Sequence, residues 1–185
     1  MTDPHWKQAK QALDAGDFTR LEALLGGPQK FDEWMIARFE DGAFDNEPEM
    51  QAEALTCACM LGRVEVVRFF LDNGVSPTAG MKTGPNGFHY AVSGARLDVV
   101  DLLLERNVSM QPVNMYGGTV WEQALWSAVH EHKPGHAAVI EALIRAGAEV
   151  EPGTLKWWNE QHVPSEETKS VVAAALCDVE NINDQ

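Results

Sequence analysis

The sequence predicts an all-α solenoid, in which helix–turn–helix units stack side by side and short finger loops join them. Three observations carry this. The stretch EALTCACMLGRVEVVRFFLDNG, Glu53 to Gly74, is echoed 33 residues later by NGFHYAVSGARLDVVDLLLERN, Asn86 to Asn107. The two align without a gap: Ala58 falls on Ala91, Glu65 on Asp98, Val66-Val67 on Val99-Val100 and Leu71 on Leu104. Apolar residues also recur at helical spacing. Phe88, Ala91 and Val92 mark one face of a first helix, and Val99, Val100, Leu103 and Leu104 mark a second. Finally, the frame returns a third time, with Gly117 lying 33 residues after Gly84 and Ala124 lying 33 after Ala91. A fixed period of about 20–50 residues marks a solenoid. A helix pair this small can bury its apolar faces only against a neighbour of the same shape.

The first unit, residues 9–27, has the helix–turn–helix rhythm with Gly16 at the turn and Leu21, Leu24 and Leu25 on one face. Lys10, Asp14 and Arg20 stand where an internal repeat would be apolar, as a terminal cap requires. The rhythm then breaks over residues 28–48. Gly26-Gly27-Pro28 ends the preceding helix, Phe31–Phe39 reads as a short extra helix, and EDGAFDNEPEM reads as an acidic loop. Between Asp32 and Glu53 there are eight carboxylates against one arginine, a net −7 and half the charge of the whole chain. The repeat does not demand this insertion.

Two clear repeats occupy 49–82 and 83–115, and the turn formers in SPTAGMKTGPNG predict a projecting finger between their helices. A third repeat, 116–150, sets Val139-Ile140 40 residues after Val99-Val100. Those seven extra residues are expected to lengthen its first helix by about two turns. A degenerate closing unit spans 151–176, with Ser165 as a helix N-cap, and the tail 177–185 is expected to fray. Its entry, AEVEP, is too short for a projecting finger. Trp157 and Trp158 are adjacent and cannot share a helix face, so one should seal the last core while the other reaches the surface.

Composition narrows the function. The 185 residues carry a formal charge of −14, which opposes binding to nucleic-acid phosphates or anionic membranes and suits either a basic protein partner or simply solubility, the commoner meaning of such a charge. No run reaches the roughly 18 apolar residues of a membrane span, and MTDPHWKQAK lacks a signal peptide's apolar stretch, so a cytoplasmic protein is expected. Three cysteines, with Cys57 and Cys59 two apart, suit neither a disulfide framework nor a zinc site. The sequence has no phosphate loop, dinucleotide fingerprint or nucleophile motif, and neither cofactor nor metal is expected.

At this point the residues resemble a family. Gly84-Pro85-Asn86-Gly87-Phe88-His89-Tyr90-Ala91 and Gly117-Gly118-Thr119-Val120-Trp121-Glu122-Gln123-Ala124 fill the G-x-T-P-L-H-x-A opening of the ankyrin repeat. Gly135-His136-Ala137-Ala138-Val139-Ile140 through Gly147-Ala148 resembles its second helix, as does Gly62 through Val67. The Pro of that opening is absent everywhere, which puts the helix starts in question. The resemblance implies a non-catalytic protein-binding scaffold. Its first helices and fingers would line a concave face, and His89 would hydrogen-bond within the turns. It places Cys57, Met60, Leu61, Tyr90, Ser93, Gln123, Trp126 and Ser127 on that face, with Met81, Lys82, Pro85, Asn114, Met115 and Tyr116 on the fingers. Met60, Leu61, Met81, Lys82, Pro85, Tyr90, Met115, Tyr116, Gln123 and Trp126 are therefore the expected partner contacts, with Tyr90 exposed. Tyr and Trp are favoured interface anchors. Trp126 could equally pack into its own helix.

Glu40, Asp41, Asp45, Glu47 and Glu49 of the insertion would steer a basic partner, or form a solvated loop. A short array without an attached effector looks like stand-alone bacterial ankyrin proteins, some of which inhibit a toxin encoded beside them. An inhibitor or immunity protein for a basic toxin is thus the specialised form of the reading. Two rivals stand beside it: a self-associating repeat protein, whose oligomeric state the sequence leaves open, and a small metal enzyme using His130, Glu131 and His132. The diverging positions of the two histidines and the break at Pro134 weigh against the latter.

Overall fold

A computed structural model describes residues 6–78, 85–131 and 133–183. Among them are eleven helices and no strand: α1 Trp6–Asp14, α2 Phe18–Leu24, α3 Pro28–Glu40, α4 Pro48–Leu61, α5 Val64–Asp72, α6 Gly87–Ser93, α7 Leu97–Glu105, α8 Val120–His130, α9 His136–Arg145, α10 Thr154–Glu160 and α11 Glu166–Asn183. The helices form two layers. First helices α1, α4, α6 and α8 stack in one, and second helices α5, α7, α9 and α11 in the other.

Both layers are set by recurring local chemistry. After each second helix the backbone turns left-handed, at Gly74 (φ 82°), Asn107 (φ 54°) and Gly147 (φ 87°), residues that tolerate that region. Side-chain caps replace the missing proline at two helix starts. The Asn86 Oδ1 accepts from the Phe88 and His89 amides at 3.0 and 3.2 Å. One period later, Thr119 and Glu122 form the same reciprocal box. Phe88, Ala91, Val92, Val99, Val100 and Leu103 then fill the middle of a continuous core, and each is fully buried.

His89 ties two units together. The Gly118 carbonyl can only accept, so the Nε2–H of His89 donates to it across 3.2 Å, while Nδ1 faces the Asn86 amide at 3.4 Å. Burial lowers its pKa below the ordinary 6.5, against the opposing pull of the Gly118 and Pro112 carbonyls. With the folded pKa below the unfolded one, the unfolded chain takes the proton first as pH falls. The stability held above 6.5 therefore declines as pH drops through that value towards the folded pKa, by at most about 1.4 kcal/mol per pH unit. Urea titrations at about pH 7.5 and about pH 5.5 should show a smaller loss for His89→Gln than for wild type. Equal losses would mean that the imidazole does not carry the effect.

Two expectations need correction, and the place of the insertion, which the sequence left open, is filled in. The extra helix expected at Phe31–Phe39 is present as α3 and packs into the fold. Phe31 and Met35 of α3 and Phe44 in the following turn are buried, and α3 lies beside α5 at the end of the second layer. Phe39 and Phe44 join Phe69 and Phe70 in an aromatic cluster, with the Phe39 and Phe70 centroids 5.0 Å apart. The longer first helix of the third repeat gains about one turn, not two. α8 has 11 residues against 7 in α6, and the remaining inserted residues go to the connection before α9. The tail does not fray within the described residues. α11 runs on to Asn183, and the Glu180 Oε1 accepts from the Leu155 amide at 3.2 Å, capping the start of α10 that Gly153 cannot cap.

Candidate functional site

The site begins with a loop that a single side chain folds. In the finger before α8, the Asn114 Oδ1 accepts from the amides of Tyr116 (2.9 Å) and Gly118 (3.1 Å). The Asn114 amide in turn bonds the Gly118 carbonyl at 2.8 Å, and Gly117 takes φ 83°. This closed turn leaves Met115 and Tyr116 at its tip, 63% and 87% exposed. The large exposed apolar side chains among the described residues are Val113, Met115, Tyr116, Trp126 and Trp157. All five lie in the C-terminal half, on this finger, on α8 and on α10.

Trp126 resolves as a surface residue, 51% exposed. Its indole stacks on His130 with centroids 4.5 Å apart, and the His130 Nδ1 donates to the Trp126 carbonyl at 2.8 Å. Two hollows flank it. One, about 490 Å³, lies between α8 and the entry to α10 and includes Trp121, Trp157, Glu149 and Glu151 in its wall. The other, about 500 Å³, opens towards Asn114 and Tyr116. Glu122 and Trp126 line both. Both volumes fall within the range of about 300–1,000 Å³ usual for ligand-sized clefts.

Several expected contacts are held elsewhere. Gln123 is bound into a polar chain. Its Oε1 accepts from the Asn114 Nδ2 at 2.9 Å, and its Nε2 donates to the Ser127 Oγ at 3.0 Å. The Ser93 Oγ donates to Glu131 at 2.9 Å, and Lys133 pairs with Glu131 while donating to the Ser93 carbonyl at 2.7 Å. Cys57 and Ser127 are fully buried rather than facing a partner. Tyr90 is half-buried, not exposed, with its ring edge-on to Phe18 at 5.8 Å. Met60 and Leu61 likewise pack against the core, and Pro85 is half-buried. Met81 and Lys82 lie outside the described residues.

In the insertion, Glu40, Asp41, Asp45 and Glu49 are exposed and Glu47 is half-buried. Lys10 pairs with Glu47 at 2.5 Å and Arg38 with Asp41 at 2.6 Å, so part of this charge is compensated within the fold. No group of three His, Cys, Asp or Glu able to hold a metal occurs among the described residues, and His132 lies outside them. Burial pushes the Cys57 and Cys59 thiols well above their ordinary pKa, which leaves them un-ionised and poor nucleophiles.

Sequence reasoning did not single out Val113, Glu149 and Glu151, and it left open which of Trp157 and Trp158 is exposed. Glu149 and Glu151 were visible as the acidic AEVEP connection, but only the folded chain brings that connection to the same hollow as Trp126.

Residues 11–114, more than half of the chain, match the family model for ankyrin repeats in three copies. No curated protein matches the chain. No helix among the described residues is long and apolar enough to cross a membrane.

Proposed function

The chain belongs to the ankyrin-repeat family, whose arrays generally serve as protein–protein interaction modules, and from that premise we propose that it binds a partner protein, without catalysis, through the finger and first-helix side of its C-terminal half. The observation that carries this is the gathering of Met115, Tyr116, Trp126 and Trp157 in water beside two hollows. Exposed tryptophan and tyrosine at a cleft are the side chains most often found as binding anchors. The mechanism is occlusion. Whatever the partner presents to this face is shielded from other ligands.

The net charge of −14 favours a basic partner and speeds its approach. Inhibition of a basic toxin would be one such occlusion, and the charge is what supports it. The compensated carboxylates of the insertion argue for steering by the whole molecule rather than by that segment alone.

The test is affinity capture with wild type beside Tyr116→Ala/Trp126→Ala. Both residues are at least half-exposed, so the substitutions should cost no more than about 0.5 kcal/mol each in stability. A partner held by wild type should be lost by the variant, with affinity down by about 30-fold or more, as for a pair of anchor residues. Equal capture by both would sink this placement of the site. Solution mass separates the remaining occupant. A wild-type dimer that the variant converts to monomer would mean that a second copy covers the face.

A further inference from the structure

The hollow between α8 and α10 differs in chemistry from the rest of the exposed face. Three indoles line it, Trp121, Trp126 and Trp157, together with the carboxylates of Glu122, Glu149 and Glu151, and no Lys, Arg or His is among its lining residues. An apolar body with an acidic rim and no internal counter-charge is complementary to a long side chain that ends in a cation. The stem of such a chain lies against apolar wall while its head meets carboxylates and aromatic faces.

The wall is also pre-set. Trp121 is 5% exposed and forms a fixed floor, whereas Trp126 and Trp157, 51% and 40% exposed, have surface to cover. Stacking on His130 holds the Trp126 ring in one orientation. The Glu122 Oε2 accepts from the Thr119 amide at 2.7 Å and hydroxyl at 3.0 Å, which fixes that carboxylate at the rim. Pre-ordered groups lose little entropy on binding.

Between the two cationic side chains, guanidinium suits this wall better than ammonium. It is planar, stacks on indole, is weakly hydrated, and offers a fork of donors to paired carboxylates. We propose that this hollow receives an arginine side chain from an exposed segment of the partner, with the guanidinium against Trp126 and Trp157 and paired with Glu122, Glu149 and Glu151. The inference rests on the reading of this side as the partner-binding face, and it names the partner's chemistry there.

The test uses a random displayed-peptide library selected on the wild-type chain and counter-screened on Trp126→Ala/Trp157→Ala. The tryptophan-dependent peptides should share an arginine. Its replacement by citrulline, which keeps the shape and removes the charge, should weaken binding by about tenfold or more. Glu149→Gln/Glu151→Gln should produce a similar loss for the arginine peptide and little further loss for the citrulline peptide. Both glutamates are exposed, so this variant should retain its fold, which circular dichroism checks. If tryptophan-dependent peptides tolerate citrulline or lysine within about twofold, the arginine assignment falls while the binding face stands. If no selected peptide depends on the tryptophans, both fall together.

Discussion

Phe70→Ala should destabilise the folded chain by about 3–5 kcal/mol, the usual cost of emptying a fully packed aromatic site. Phe70 has no exposed surface. Its ring meets Phe39 at 5.0 Å and Phe44 at 6.0 Å, both from the segment between the first unit and the first clear repeat. Truncation therefore removes the residue against which that segment closes. In a stacked array each unit leans only on its neighbours, so the damage should stay local. Hydrogen exchange should show α3 losing protection first, while α7 and α9 keep theirs. Phe69→Ala, at a half-buried position in the same cluster, should cost less, about 1–2 kcal/mol. A Phe70→Ala loss below about 1 kcal/mol, or unchanged protection of α3, would mean that the segment is held by something other than this cluster.

The repeat register was legible because it is a local property copied along the chain. The second-helix pattern of Val66-Val67 and Val99-Val100 needs no knowledge of distant contacts, and both pairs are fully buried. The helix of the insertion was legible too, but where it packs was not, for the opposite reason. The insertion's six carboxylates dominate the composition, yet Phe31, Trp34, Met35 and Phe39 recur at helical spacing and supply an apolar face. What no local pattern announces is that the end of the second layer, beside α5, needs covering and that α3 is the helix that covers it. The length of α8 failed in the same way. An insertion of known size can go to helix or to loop, and α8 ends at His130 after one extra turn, short of Pro134, with Glu131 held by Ser93 and Lys133.

The site was legible only in part, and the division follows burial. Repeat register places first-helix residues on one side but does not say what else covers them. Phe18 of the first unit lies against Tyr90. Gln123 is taken up by Asn114 and Ser127, whereas Trp126, three residues on, remains outside that polar chain. Met115 and Tyr116 were readable as finger tips because Asn and Gly flank them in a turn. The second wall of the acidic hollow comes from the α9–α10 connection and α10, which follow the family match at residues 11–114. The family model stops short of it, and the repeat pattern reaches it only through the end of the third repeat and the degenerate closing unit.

Trp157 and Trp158 should give opposite results, although they are neighbours on one short helix. Trp158 is fully buried, and its Nε1–H donates to the Lys169 carbonyl at 3.0 Å, joining α10 to α11. Trp158→Ala should cost about 3–5 kcal/mol, from the cavity and from the lost indole hydrogen bond to α11. Because α10 packs on α11 and α11 on α9, that loss should fall on the C-terminal pair, which should unfold before the rest as a separate transition. Trp157 is 40% exposed, and Trp157→Ala should change stability by no more than about 1 kcal/mol. Its effect should appear in binding, through loss of one wall of the hollow. Denaturant titration of both variants, read beside partner affinity, separates the two roles. Trp158→Ala should lose binding because the wall is no longer held in place, and saturating partner should recover part of its stability. Trp157→Ala should lose binding with its melting curve nearly unchanged. If Trp157→Ala keeps full affinity, the binding face ends at Trp126 and α10 serves only to close the stack.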